Sequence, residues 1–224
     1  MKRILIGTPS HDGRLDVWYT NSLINTVKMS FDKGVLIDPI YTSFDSLIQR
    51  ARNSLFKIAV EQNYDYLFFV DSDVEWEPEW FYRILEYSED IVGAALVKKS
   101  DENEGYTCKL LDKKLQLNER KNLVKANGVG TGFLKFSKKA IHALWNSSPE
   151  YKNEERLGDT PDRLVCNVEI KNGILISEDY ILCDKAKQLG FDLWLDPTIT
   201  INHIGPKKFR GDIHNFLRKT GYHV

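Results

Sequence analysis

Cysteine is scarce in this chain: three in 224 residues, an odd number. Cys108, Cys166 and Cys183 stand far apart, so they make neither a disulfide framework nor a zinc-binding spacing. A reducing, cytoplasmic compartment is expected. Long hydrophobic runs are also missing. Nothing approaches the roughly 20 apolar residues that a membrane-spanning helix needs, and the apolar start Ile4-Leu5-Ile6 is too short for a secretory signal. Without such a signal, Asn146-Ser147-Ser148 has no meaning as a glycosylation acceptor. Neither sign of charge dominates, and the net charge is −1. Neutralising nucleic-acid phosphates takes a dense basic field, so no nucleic-acid partner is expected. Repeats and low-complexity segments are absent. So is the Gly-x-x-x-x-Gly-Lys-Ser/Thr loop that would mark a P-loop enzyme.

What is present suits one soluble domain with a buried core: 42% hydrophobic and 28% charged residues. Apolar runs at 4–6, 35–37, 67–70 and 91–97 read as strands, the second closed by Asp38-Pro39. Between them lie helical patterns. One carries Leu15, Trp18, Tyr19, Leu23 and Val27. The next is capped by Ser43, with Phe44, Leu47, Ile48, Ala51, Leu55, Ile58 and Ala59 on one face. A third starts at Pro78 and carries Phe81, Ile84 and Leu85. Such alternation predicts an α/β fold, a mostly parallel sheet with helices on both faces. Residues 98–126 are polar and irregular, with a hairpin or an excursion. Phe133-Leu134-Lys135-Phe136 reads as a strand of alternating polarity, followed by a helix over 138–145. Residues 146–173 read as a long loop or flexible flap. Ser177 caps a helix that Gly190 stops. Short strands follow over 191–195 and 198–201, then His203. Residues 206–224 form a basic, solvated tail. Trp76 and Trp80, at a helix start, read as core.

The chemistry concentrates at Leu67-Phe68-Phe69-Val70-Asp71-Ser72-Asp73. A buried strand runs straight into two carboxylates one residue apart, and strand ends are where open α/β sheets place ligands. If the backbone stays extended through Asp73, both carboxylates face one spot. Two hard oxygen ligands suit a divalent cation that completes its shell with waters and substrate phosphates. Arg50-Ala51-Arg52-Asn53 precedes this strand. Its arginines flank the apolar face, Asn53 lies to the polar side, and guanidinium forks suit phosphates. Glu178 and Asp179 open a helix, where its dipole favours carboxylates. His203 could complete a carboxylate metal site with a neutral imidazole.

The order of these motifs over residues 2–205 resembles nucleotide-sugar-dependent glycosyltransferases of the GT-A fold. Thr8-Pro9 ends the first strand, Ala51-Arg52-Asn53 precedes the apolar strand, and Asp71-Ser72-Asp73 matches the family's metal-binding Asp-x-Asp. Gly128 to Phe133 is similar to its glycine-rich acceptor-side segment, Glu178-Asp179-Tyr180 to its Glu-Asp motif, and His203 to a late histidine ligand. The resemblance implies a GT-A-like, Rossmann-like sheet with a smaller acceptor-side β region. It implies a single domain over 1–224: a nucleotide-binding half over about 1–97, an acceptor-binding half over about 98–205, and the tail. Thr8, Pro9 and Ser10 would contact the nucleoside. Arg52 would lie beside the donor's sugar or diphosphate, and Asp71, Ser72 and Asp73 would bind the donor. Mn²⁺ or Mg²⁺ would be held by Asp71, Asp73 and His203, with Asp179 or Glu178 as general base. The implied donor is a nucleotide sugar, UDP-linked, and the acceptor a glycan or other hydroxyl. The Glu-Asp pair tilts the expected stereochemistry to inversion. Asp45 is the candidate acidic contact to the base.

Two other readings remain open. A sugar nucleotidyltransferase would carry a glycine-rich basic loop after the first strand, and Gly7-Thr8-Pro9-Ser10-His11-Asp12-Gly13-Arg14 is a diffuse version of one. A non-catalytic nucleotide- or carbohydrate-binding module would bind the same ligands without turnover. An aspartyl-phosphate phosphatase would place its Asp-x-Asp on the first strand, followed by Thr, and here Val74-Glu75 follows a later strand.

Overall fold

The apolar runs at 4–6 and 67–70 become strands buried on both faces, and the run at 35–37 becomes a half-exposed edge strand. In the computed structural model, which describes residues 1–102, 104–120, 122–152 and 160–223, the first half runs β1 (Lys2–Ser10), α1 (Val17–Met29), β2 (Val35–Ser43), α2 (Ile48–Glu61), β3 (Tyr66–Val70), β4 (Val74–Glu75), α3 (Pro78–Glu86), β5 (Ile91–Gly93) and β6 (Cys108–Leu110). The second half continues β7 (Val124–Val129), β8 (Phe133–Ser137), α4 (Lys138–Ser147), β9 (Glu150–Tyr151), β10 (Asp162–Arg163), β11 (Glu169–Lys171), β12 (Ile174–Ile176), α5 (Glu178–Gln188), β13 (Leu193–Leu195), β14 (Asn202–Ile204), β15 (Lys208–Phe209) and α6 (Ile213–Lys219).

An eight-stranded sheet in the order β2-β1-β3-β8-β5-β13-β7-β6 forms the centre. β2, β1 and β3 are parallel neighbours, as are β5 and β13. β8 is inserted antiparallel between β3 and β5, and β7 runs against β13 and β6. The period of two sorts side chains to opposite faces. Leu5 and Phe69 pack with Leu55, Phe56 and Phe136 from α2 and β8. Ile4, Ile6, Phe68 and Val70 pack with Tyr19 and Phe81 from α1 and α3. None of the helices among the described residues is long and apolar enough to cross a membrane.

Several boundaries differ from the sequence-based expectation. β2 runs on through Pro39 to Ser43, because it is a sheet edge and the missing N–H of proline costs nothing on the open side. α2 starts at Ile48, not after Ser43. Phe44 sits at φ 61°, exposed, and α2 has Leu47 at its N-cap with no side-chain capping bond; Asp45 Oδ1 accepts from the Leu47 N–H in the turn before it. β5 ends at Gly93 rather than at 97, and Leu96 and Val97 form only isolated bridges. His203 lies within β14 rather than after a strand. The tail is no solvated appendage: α6 buries Ile213 and Leu217 in the core. Lys135 of β8 is buried, its Nζ donating to the Tyr87 carbonyl at 2.7 Å. Of the flap expected over 146–173, residues 153–159 lie outside the described residues. Val165 and Cys166 are buried, and Cys166 exchanges two hydrogen bonds with the Asn53 amide, at 2.7 and 3.1 Å. Trp76 is core, as expected.

Candidate functional site

At the carboxyl end of β3 the chain delivers Asp71 beside the N-terminal half of α2. The side chain that meets it is Arg52, only 2% exposed. Its Nη2 donates to Asp71 Oδ1 at 2.9 Å. Its Nη1 donates to Glu178 Oε1 and, at 3.2 Å, to Asp179 Oδ1. Three carboxylates from two distant motifs thus share one guanidinium. Burial works against the charge on Arg52, but the three carboxylates outweigh it and raise its pKa. Burial pushes the Asp71 carboxyl up, and Arg52 only partly offsets this. Glu178 is raised as well, first by burial and then by the neighbouring Asp179.

α5 presents Glu178 and Asp179 in its first turn, facing the end of β7 and the loop into β8. Thr131 in that loop donates its hydroxyl to Asp179 Oδ1 at 2.5 Å. Among the described residues Asp179 Oδ2 accepts no hydrogen bond. Gly132 leaves the space that Asp71 occupies: a Cβ there would lie 2.8 Å from Asp71 Oδ2. The Gly132 carbonyl also accepts from the Asp71 N–H.

The extended conformation does not persist past Asp71. Ser72 and Asp73 form a turn, so the two aspartates have different partners. Asp73 Oδ2 accepts from Lys99 Nζ at 2.5 Å, and Asp73 Oδ1 stands 3.5 Å from His203 Nε2. The small sheet β15-β14-β4 brings His203 here, pairing it with Val74 and bonding the Ile204 N–H to the Asp73 carbonyl. Burial alone would raise the Asp73 carboxyl, yet the neighbouring His203 imidazole and Lys99 ammonium hold it below its ordinary value.

His203 Nδ1 lies 2.9 Å from the Val97 carbonyl, which can only accept, so Nδ1 carries a hydrogen. In the neutral ring, Nε2 then presents a lone pair to Asp73 Oδ1. Two acceptors this close require a proton or a cation between them. Such a carbonyl-anchored imidazole is the arrangement found behind metal ligands. Asp73 and His203 therefore fit a divalent cation that keeps open positions for waters and phosphate. Asp71 Oδ1 is committed to Arg52. Among the described residues no set of three His, Cys, Asp or Glu side chains converges tightly enough to hold a metal unaided.

A cavity of about 220 Å³ opens beside the aspartates, lined by residues that include Pro9, His11, Asp45, Asp71, Ser72 and Asp73. Of the three β1 residues expected at the nucleoside, Pro9 lines it. Thr8 is fully buried and shares its hydroxyl with Tyr19 at 2.6 Å, and Ser10 donates to the Arg14 carbonyl. Asp45 lines the cavity while bonded to the Leu47 N–H and, at 2.7 Å, to Arg50. Asn53 is fully buried, not on a polar face. Sequence reasoning missed Lys99, which carries no local signal because only the fold brings it to its carboxylate. Thr131 lies within the glycine-rich segment from Gly128 to Phe133 but was not itself named as a site residue.

The family model described as "Glycosyl transferase family 2" matches residues 31–144, just over half of the chain. That span holds Arg52, Asp71, Asp73, Lys99 and Thr131, but not Glu178, Asp179 or His203. No curated protein matches the chain significantly. Among solved structures, A197 from STIV is similar with a TM-score of 0.55 at 16% identity, over 92% of this chain and 86% of the other. A mutant of the Drosophila β1,4-galactosyltransferase 7, in complex with manganese, UDP-Gal and xylobiose, superposes with a TM-score of 0.50 at 14% identity. That match covers 100% of this chain and 76% of the other. GalNAc-T7 with UDP, GalNAc and Mn²⁺ gives 0.52 at 10% identity, over 92% of this chain and 44% of the other. At these identities the likenesses speak for the fold, the GT-A fold of glycosyltransferases.

Proposed function

We propose, from the premise that the chain belongs to glycosyl transferase family 2, that this glycosyltransferase moves a sugar from a nucleoside-diphosphate sugar to a hydroxyl of a glycan or other acceptor. In this reading the donor is UDP-linked, a divalent cation (Mn²⁺ or Mg²⁺) assists, and the anomeric centre is inverted. The observation that carries it is the Arg52 fork. It joins Asp71, at the donor-side strand end, to Glu178 and Asp179, at the helix opening expected to face the acceptor. In this reading one guanidinium ties together the two halves of a transfer site.

Asp73 and His203 would hold the cation, which when bound would counter the charge that grows on the leaving diphosphate. The manganese and UDP species in the galactosyltransferase and GalNAc-T7 structures support this choice. The cavity beside Pro9, His11 and Asp45 takes the nucleoside end. Asp179 is the base. Arg52 and Thr131 fix its Oδ1, and Oδ2 is left to accept the acceptor's proton. As that proton passes to Asp179, the acceptor oxygen bonds the anomeric carbon and the bond to the diphosphate oxygen breaks. Glu178, with its raised pKa, anchors Arg52 and keeps the fork aimed.

Thermal unfolding with nucleoside diphosphates, each with and without Mn²⁺, tests the donor assignment. A ligand that binds only the folded protein raises its apparent stability. A shift with UDP that depends on Mn²⁺ is expected. A folded protein that responds to no nucleoside diphosphate would overturn the reading.

A further inference from the structure

The segment after β5 is fastened to the small sheet that carries His203. Lys99 reaches Asp73 Oδ2 at 2.5 Å. Its stem crosses Gly205, where a Cβ would come within 3.2 Å of Lys99 Cδ. Two residues on, Asp101 pairs with Lys207 at the entry to β15. Asp73 is thereby shared, one oxygen on an ammonium and the other facing an imidazole nitrogen.

Building on the donor-site reading, we propose that Lys99 is a two-position donor-binding residue. It neutralises Asp73 in the unloaded protein and passes its ammonium to the donor's diphosphate when a dication takes Asp73. The reason is charge. A dication on Asp73 and His203 sets two further positive charges beside the Lys99 ammonium, and like charges at contact distance repel. The arriving diphosphate offers that ammonium a new anionic partner. Lysine suits the task because its charge is compact and rides on a flexible four-carbon stem. The Lys99 side chain is 31% exposed, which leaves it room to swing.

A consequence is that nucleotide and metal affinities are coupled through Lys99, and such coupling is reciprocal. Without nucleotide the lysine competes with the metal. With nucleotide it joins the complex. The experiment measures Mn²⁺ uptake, from the free-ion electron paramagnetic resonance signal, with and without UDP. It uses the wild type, Lys99→Met and Lys99→Arg. Lys99→Met is expected to bind Mn²⁺ alone about three- to tenfold tighter. UDP should tighten its Mn²⁺ binding less than in the wild type, and Lys99→Arg should keep the wild-type pattern. Equal affinities and equal coupling in Lys99→Met and wild type overturn the role of Lys99 and leave the donor site standing. Weaker Mn²⁺ binding by Lys99→Met in both conditions marks the residue as merely structural and also overturns it. A wild type that takes up no Mn²⁺ even with UDP removes the metal reading, and the proposal with it.

Discussion

Arg52 Nη2 lies 2.9 Å from Asp71 Oδ1, and the same guanidinium reaches Glu178, 126 residues further along the chain. A charge this deeply buried is tolerated only because its partners are in place, and removing it strands three carboxylates. Arg52→Met should therefore lower stability by about 3–5 kcal/mol, equivalent to roughly 10 °C in the melting temperature for a domain of this size. Arg52→Lys should fall between the two, because a point charge cannot fork to both sides. A loss under about 1 kcal/mol for Arg52→Met would mean that the network is solvated rather than buried.

Asp179→Asn keeps an oxygen for the Thr131 hydroxyl and the Arg52 guanidinium but loses the basic carboxylate. Transfer should slow by about 10²- to 10⁴-fold, while the UDP- and Mn²⁺-dependent thermal shift stays at the wild-type value. Glu178→Gln should slow transfer far less. If the two variants exchanged these behaviours in initial-rate measurements, the base would be Glu178.

Asp73 is 40% exposed and its ion pair with Lys99 is only half sheltered, so Asp73→Asn should change stability by no more than about 1 kcal/mol. It should nevertheless abolish the Mn²⁺-dependent part of the shift with UDP. Asp71→Asn should do the reverse: it leaves Arg52 a carboxylate short, costing more stability, while the Asp73–His203 pair remains. Scanning calorimetry of both variants with and without Mn²⁺ separates them. A full Mn²⁺ response in Asp73→Asn would remove it from the metal site.

The order of strands and helices up to β5 was legible because burial on both sheet faces needs unbroken apolar runs, and those runs are local in sequence. The approach of Arg52 to Asp71 was half legible. The motif residues could be named, but the arginine reads as a solvated position between apolar neighbours, since the carboxylates that permit its burial lie on other elements. Asn53 misleads for the same reason, its partner being the backbone of Cys166. The argument that sets Asp73 beside Asp71 on an extended strand end fails. The turn at Ser72 separates Asp73 from Asp71, and His203 and Lys99 supply its surroundings instead. α6 does carry a signal, because Ile213, Phe216 and Leu217 recur at helical spacing, but the net basic composition of that stretch hides it.

Lys135 sits in the middle of β8, buried between the Tyr87 carbonyl and the Tyr66 ring. Burial lowers its pKa from 10.5 to about 8. The folded protein thus prefers the neutral amine, while the unfolded chain keeps its proton up to the ordinary value. Between those two pH values the unfolded state binds more protons, so stability rises with pH; below about 8 both states are charged and the penalty is constant. Lys135→Met carries no such proton. The stability of the wild type minus that of the variant should therefore climb by up to about 3 kcal/mol from about pH 7.5 to about pH 10, measured by urea unfolding. The variant also leaves the Tyr87 carbonyl without its donor. That loss is the same at every pH and cancels from the slope, so a flat difference would show that the amine titrates in the folded protein as it does in water.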